Sequence, residues 1–155
     1  SFGVQMIVLG SGDYEYETFM YETANRYPDR FRLATGFNPD LAHKIYAGSD
    51  IFLMPSKSEP CGLSQMVALR YGSIPVVRET GGLRDTISDS GLGEGNGFTF
   101  ANYNADDMAH AVYRAVEGFK DREGWKVLTQ RAMRCDNSWG ASANAYIKLY
   151  KSMIK

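Results

Sequence analysis

The sequence predicts an α/β fold, a parallel sheet with helices on both faces, and three observations carry that expectation. Short apolar runs bounded by Gly, Pro or Asp alternate with longer segments whose apolar residues recur at helical spacing. Their order is strand, helix, strand, helix, strand, helix, strand, the pattern of successive βαβ units. A chain of 155 residues fits one domain, expected here over residues 1–155, and a domain of that size buries roughly 68–70% of its unfolded surface.

The elements follow in order. Val4 to Leu9 is a strand that ends in "GSGD", after which Phe19, Met20, Ala24 and Tyr27 mark a helix that stops at Pro28. "FRLATGF" is the next strand, and Asn38 and Pro39 are the cap and first residue of a helix with Leu41, Ala42, Ile45 and Tyr46 on one face. "DIFLMP", Asp50 to Pro55, is a third strand. It leads through "SKSEPCGLSQMVALRYG" into a helix expected to start near Gly62, and then into the strand "SIPVV". "RETGGLRDTI" contains a glycine turn that opens a short helix at Leu83, and "SDSGLGEGNG" is a loop before the last strand, "GFTF". The remainder is helical: Met108, Ala109, Val112, Val116 and Phe119 mark one amphipathic helix, "GWKVLTQRAM" a second, and Ala145, Tyr146, Leu149, Tyr150 and Met153 the last.

Composition excludes several classes of partner. The 17 basic and 18 acidic residues give a net charge of −1 and form no long run, which argues against a nucleic-acid or anionic-membrane surface. No apolar run approaches the ~20 residues of a membrane span, and the first residues lack the basic start of a signal peptide. The two cysteines, Cys61 and Cys135, are expected to be reduced thiols in a cytoplasmic protein, and neither has metal-ligand spacing, so no metal is expected. "SFGVQMIVLG" begins almost inside a strand without an initiator methionine, so the chain is expected to be a piece of something longer.

The loop "SKSEPCGL" holds the chemistry. It lies after a strand and before a helix, at the carboxyl end of a parallel sheet, where open α/β sheets bind ligands. With a helix starting near Gly62, the N–H groups of Gly62, Leu63 and Ser64 lack intrahelical acceptors and converge with the positive end of the helix dipole, forming an anion site. Glu59 cannot favour a phosphate, so its functional role is to accept hydrogen bonds from hydroxyls beside one. A phosphate next to a polyol describes a sugar nucleotide. In the bland reading Glu59 caps the helix and Gly62 shapes the turn, and the residues alone leave both open.

The other motifs carry less. Cys61 is read as a packed thiol, since no histidine lies close in sequence to activate it. His43 and His110 sit in helical patterns and are assigned no role. "TGGL", Thr80 to Leu83, offers further backbone N–H groups to the same rim. "GSGD" is read as a capped turn because Asp13 would repel phosphate, and "GEGNG" as a flexible surface loop.

The segment "SKSEPCGLSQMVALRYGSIPVVRETGGLRDTI", with "GEGNGF" and the ending built on Trp139, Ala143, Tyr146, Leu149 and Tyr150, closely resembles the bacterial glycogen synthases and plant starch synthases. These are retaining glycosyltransferases that extend an α-1,4-glucan from ADP-glucose. The resemblance implies a Rossmann-like sheet forming the C-terminal half of a two-domain glycosyltransferase B-type fold. On that footing the chain is most of the donor-nucleotide domain, and the N-terminal acceptor domain, the first βα unit and a diphosphate-neutralising Arg and Lys lie outside it. Glu59 then corresponds to the catalytic-site carboxylate that holds glucosyl hydroxyls. Cys61, Gly62, Leu63 and Ser64 correspond to the loop whose amides bind glucose and the distal phosphate, and Thr80, Gly81 and Gly82 to its neighbour. Phe37 takes the place where relatives often have a tyrosine against adenine.

Val67 stands eight positions after Glu59, where UDP-sugar families often carry a second glutamate for the ribose, and this favours the ADP-glucose group. The resemblance implies no cofactor. The expected partners are ADP-glucose or ADP and, through the acceptor domain, an α-1,4-glucan. Two rival readings remain: a related UDP-sugar-dependent transferase, and a nucleotide-sugar or glucan-binding module without turnover.

Overall fold

The computed structural model describes residues 2–154, apart from the side chain of Leu92. Its residues group into two compact units, one up to Ser49 and one from Asp50 onward.

The first unit runs β1 (Met6–Gly10), α1 (Tyr14–Arg26), β2 (Phe31–Thr35), α2 (Pro39–Gly48). The two strands are parallel, with Met6 opposite Phe31 and Gly10 opposite Thr35. β1 starts two residues later than the apolar pattern suggests, because the ladder begins where the Met6 N–H donates to the Arg30 carbonyl at 2.8 Å. Asn38 caps α2 as expected: its Oδ1 accepts the Leu41 N–H at 2.9 Å, and Pro39 fills the first helical position, where no N–H is needed. The "GSGD" turn is closed by the Glu17 carboxylate, which accepts the Gly12 N–H at 2.8 Å, while Asp13 makes no side-chain cap bond.

The second unit runs β3 (Ile51–Met54), α3 (Ser64–Tyr71), β4 (Ile74–Arg78), α4 (Gly81–Thr86), a 3-10 turn (Ser90–Leu92), β5 (Phe98–Phe100), α5 (Ala105–Lys120), α6 (Arg122–Met133) and α7 (Trp139–Met153). Its sheet has the order β3-β4-β5, all parallel, with Ile51 opposite Ile74 and Val76 opposite Phe98. Helices cover both faces. The central strand β4 is accordingly apolar without alternation, and Ile74, Pro75, Val76 and Val77 are all buried, as a parallel strand covered on both sides requires. Leu69 and Leu83 from the short helices, Phe98 and Phe100 from β5, and Trp125 and Leu128 from α6 complete the core. Trp125 stacks on Phe98 with centroids 6.3 Å apart and meets Phe119 edge-on at 5.3 Å.

The "GEGNG" segment is held, against the expectation of a flexible loop. Arg131 Nη1 donates to the carbonyls of Gly93 and Gly95, each at 2.8 Å, and Asn96 Nδ2 donates to the Thr86 carbonyl at 3.0 Å. Gly95 lies so close to the Asp89 backbone that a Cβ there would collide with it. Composition marked the segment as glycine-rich; the arginine that pins it comes from a helix 36 residues away.

Candidate functional site

The site is built at the carboxyl end of β3, where the chain leaves Met54 through residues 55–63 and enters α3 at Ser64. The helix opens later than expected, with Leu63 at the cap position. The cause is Gly62. Its φ of 69° is a left-handed conformation that glycine adopts freely and that no helical turn contains. The reversal presents a row of donors: the N–H groups of Gly62, Leu63, Ser64 and Gln65 find no acceptor among the described residues, whereas Met66 and Val67 both donate to the Leu63 carbonyl at 3.0 Å. The free donors sit at the positive end of an eight-residue helix.

The Thr80 to Gly82 turn is packed directly against this loop. The Gly82 N–H donates to the Glu59 carbonyl at 3.1 Å. A Cβ on Gly81 would strike that same carbonyl, and one on Gly82 would strike the carbonyl of Cys61. Two glycines are therefore needed because backbone approaches backbone. One consequence refines the expectation for this turn: the Gly82 amide is already engaged, whereas the Gly81 N–H has no acceptor among the described residues. α4 opens at Gly81, two residues before the expected Leu83, with Thr80 at its cap and no cap bond from the Thr80 hydroxyl.

Seven of the nine residues expected at the site from Phe37 to Gly82 lie on these two touching turns, Cys61 to Ser64 and Thr80 to Gly82, and Glu59 joins them at the contact itself. The Glu59 side chain is half-buried, and its carboxylate has no hydrogen-bond or ion partner among the described residues. Cys61 is exposed, which corrects the packed-thiol reading: its carbonyl faces inward and its side chain does not. Phe37 belongs to the other unit, on the turn before α2, and the residue is 95% exposed. His43 and His110 lie on α2 and α5.

Two residues that hold the turns were not found by sequence reasoning. Gln65 is fully buried, and its Nε2 donates to the Gly62 carbonyl at 2.9 Å and to the Thr86 hydroxyl at 3.1 Å. Arg78, at the end of β4, donates from Nη1 to the Lys57 carbonyl at 2.8 Å and from Nε to the Ala101 carbonyl at 3.2 Å, joining the loop to the end of β5. The available signals were a glutamine directly after "CGLS" and an arginine closing an apolar strand.

Behind the Thr80 turn lies a charged brace. Arg114 grips Asp89 with two bonds of 2.8 and 2.9 Å, Thr99 and Gly91 donate their N–H groups to the same carboxylate, and the Thr99 hydroxyl donates to Glu79 at 2.7 Å. Burial pushes the Asp89 carboxyl up, but the Arg114 guanidinium and the two backbone donors outweigh it and hold the group at about 2. Among the described residues no group of three or more His, Cys, Asp or Glu is arranged to hold a metal ion, and no helix is long and apolar enough to cross a membrane.

Residues 3–129 match the family of glycosyl transferases group 1. The chain belongs to that family. Over 154 residues it is 57% identical to a glycogen synthase of Bacillus cereus, covering 98% of this chain and 32% of the relative. It is 52% identical over 153 residues to a glycogen synthase of Desulforamulus reducens, covering 97% and 32%. The catalytic domain of starch synthase IV from Arabidopsis thaliana, solved with ADP and acarbose, matches with a TM-score of 0.86 at 38% identity, over 97% of this chain and 32% of that one. This member of the glycosyl transferases group 1 thus spans 32% of the length of the curated relatives it matches, and its parallel α/β architecture is part of the two-domain glycosyltransferase B-type fold.

Proposed function

We propose that the chain is the donor-binding part of a glycogen or starch synthase, a hexosyltransferase that moves glucose from ADP-glucose to the non-reducing end of an α-1,4-glucan with retained configuration. One observation carries the reading: a row of unaccepted amides at the start of α3 stands beside a carboxylate with no protein partner, in a chain 57% identical to a glycogen synthase. The amides suit the distal phosphate, and the Glu59 carboxylate suits the hydroxyls of the glucosyl unit. ADP as the nucleotide is supported by the starch synthase solved with ADP, and the glucan acceptor by the acarbose in the same structure. Two unpaired cysteines support a cytoplasmic location.

In this reading Glu59 positions the sugar and is not a nucleophile. The acceptor hydroxyl attacks the anomeric carbon on the face that ADP leaves, the bond to the phosphate oxygen breaks, and that oxygen takes the acceptor's proton. Charge on the departing diphosphate is met by the amides of Gly62, Leu63 and Ser64 and by the α3 dipole, fixed before the reaction begins.

The rival donor, a UDP-sugar, is separated by titration. Amide resonances of the chain are followed while ADP, UDP and their glucose conjugates are added. ADP and ADP-glucose are expected to shift Gly62, Leu63 and Ser64 first, with UDP weaker. A response confined to residues 11–13, or a stronger response to UDP, overturns the assignment.

A further inference from the structure

Gln65 is the second residue of α3, is 0% exposed, and shares its helix with the buried Ala68 and Leu69. Its Nε2 donates towards three acceptors: the Cys61 carbonyl at 3.3 Å, the Gly62 carbonyl at 2.9 Å and the Thr86 hydroxyl at 3.1 Å. The Thr86 hydroxyl in turn donates to the Gly82 carbonyl at 2.6 Å, so one amide ties together both turns of the donor site. The amide is packed hard beneath Gly62, where a Cβ would come within 2.6 Å of its Oε1.

A trans peptide holds its C=O and N–H antiparallel, and no peptide bond among the described residues is cis. The Cys61 carbonyl and the Gly62 N–H form one peptide unit, and the Gly62 carbonyl and Leu63 N–H form the next. Turning both carbonyls towards the buried amide therefore turns both N–H groups away from it. Those are two of the donors left without a protein acceptor. Meanwhile Gln65 Oε1 is buried without a hydrogen-bond partner among the described residues. An unsatisfied buried acceptor is costly, and a methionine of similar length would fill the space without it. Packing therefore does not explain a glutamine here; its donor does.

We infer that Gln65 is a positioning residue, whose buried amide aims the Gly62 and Leu63 N–H groups at the donor phosphate and locks them to the Gly81–Gly82 turn. The inference rests on the donor reading above. It predicts that Gln65→Met keeps a cooperative melt but binds ADP about ten-fold or more weakly, as expected when amides that bind a charged group lose their orientation. Thr86→Val, which removes the hydroxyl between Gln65 and Gly82 but leaves the bonds to the Cys61 and Gly62 carbonyls, weakens ADP less.

The experiment titrates ADP into the wild-type chain, Gln65→Met and Thr86→Val, with a melting curve for each. In the wild type alone, NMR measures through-hydrogen-bond couplings from the Gln65 side-chain amide to the Cys61 and Gly62 carbonyl carbons. Couplings present, together with weakened binding in folded Gln65→Met, support the inference. Absent couplings overturn it whatever the variants do, and so does an ADP affinity equal to wild type in Gln65→Met, since a merely structural residue would move only the melting temperature. A wild-type chain that shows the couplings yet gives no ADP response overturns the donor reading instead, and this inference with it.

Discussion

Glu59 was legible as a residue because its charge contradicts its surroundings. A carboxylate placed before a helix start that favours anions needs a reason, and in the proposed reading the hydroxyls of the donor sugar supply one. Gln65 and Arg78 were not legible, because their partners are carbonyls reached only after the chain has folded: Thr86 is 21 residues from Gln65, and Lys57 is 21 residues from Arg78. The same holds for the engaged amide of Gly82, which the glycine pair alone does not reveal. At this scale the proposed role of Glu59 makes a direct prediction. In the complete enzyme that the proposed function implies, Glu59→Ala should lower kcat/KM by about one to two powers of ten, since hydrogen bonds to a charged group contribute roughly 1.5–3 kcal/mol. Its melting temperature should stay near that of the wild type, because the carboxylate has no hydrogen-bond or ion partner among the described residues. Equal kcat/KM in the two proteins would reduce Glu59 to a residue that shapes the turn.

The elements themselves were legible from periodicity, and the buried run of β4 announced a central parallel strand. Their starts were less so. α3 begins at Ser64 because Gly62 turns left-handed before it, and α4 begins at Gly81 because its first residues lie against the Glu59 and Cys61 carbonyls. Both are tertiary effects on local boundaries. The brace between the loop after α4 and α5 was invisible for the same reason, since Asp89 and Arg114 are 25 residues apart. It makes a pH prediction whose sign is fixed. The Asp89 carboxyl sits at about 2 in the folded chain against 3.8 for the ordinary group. A depressed carboxylate stabilises the fold above the unfolded value, and that contribution is lost as pH falls from about 4 towards about 2. Arg114→Met removes the main partner. The stability gap between wild type and variant, measured by urea unfolding, should therefore be largest above pH 4, at about 1–3 kcal/mol, and should narrow towards pH 2. A gap that stays constant across that window would show that Arg114 acts through packing and not through Asp89.

At the scale of the whole molecule, the proposed donor site rests on the two touching turns of the second unit, and its strength depends on what surrounds them. The chain spans 32% of its curated relatives, and the resemblance assigns the Arg and Lys that neutralise the diphosphate, and the acceptor-binding surface, to segments outside these 155 residues. What the described residues offer is weaker chemistry. Helix-start amides and the dipole contribute about 0.3–1 kcal/mol per favourable charge, and an aromatic face such as Phe37 adds roughly 0.5–1.5 kcal/mol where a base stacks on it. In the proposed reading, two charge-assisted bonds of ~1.5–3 kcal/mol each separate this from a complete site, which corresponds to about two to four powers of ten in affinity. The 155-residue chain should accordingly bind ADP with a dissociation constant on the order of millimolar, unchanged by EDTA, and should release no ADP from ADP-glucose in the presence of glycogen. Calorimetry with and without EDTA and an ADP-release assay against a heat-killed control measure both. Micromolar binding would mean that the residues described here already make up the full phosphate site, and turnover above the control would mean that they also hold the acceptor.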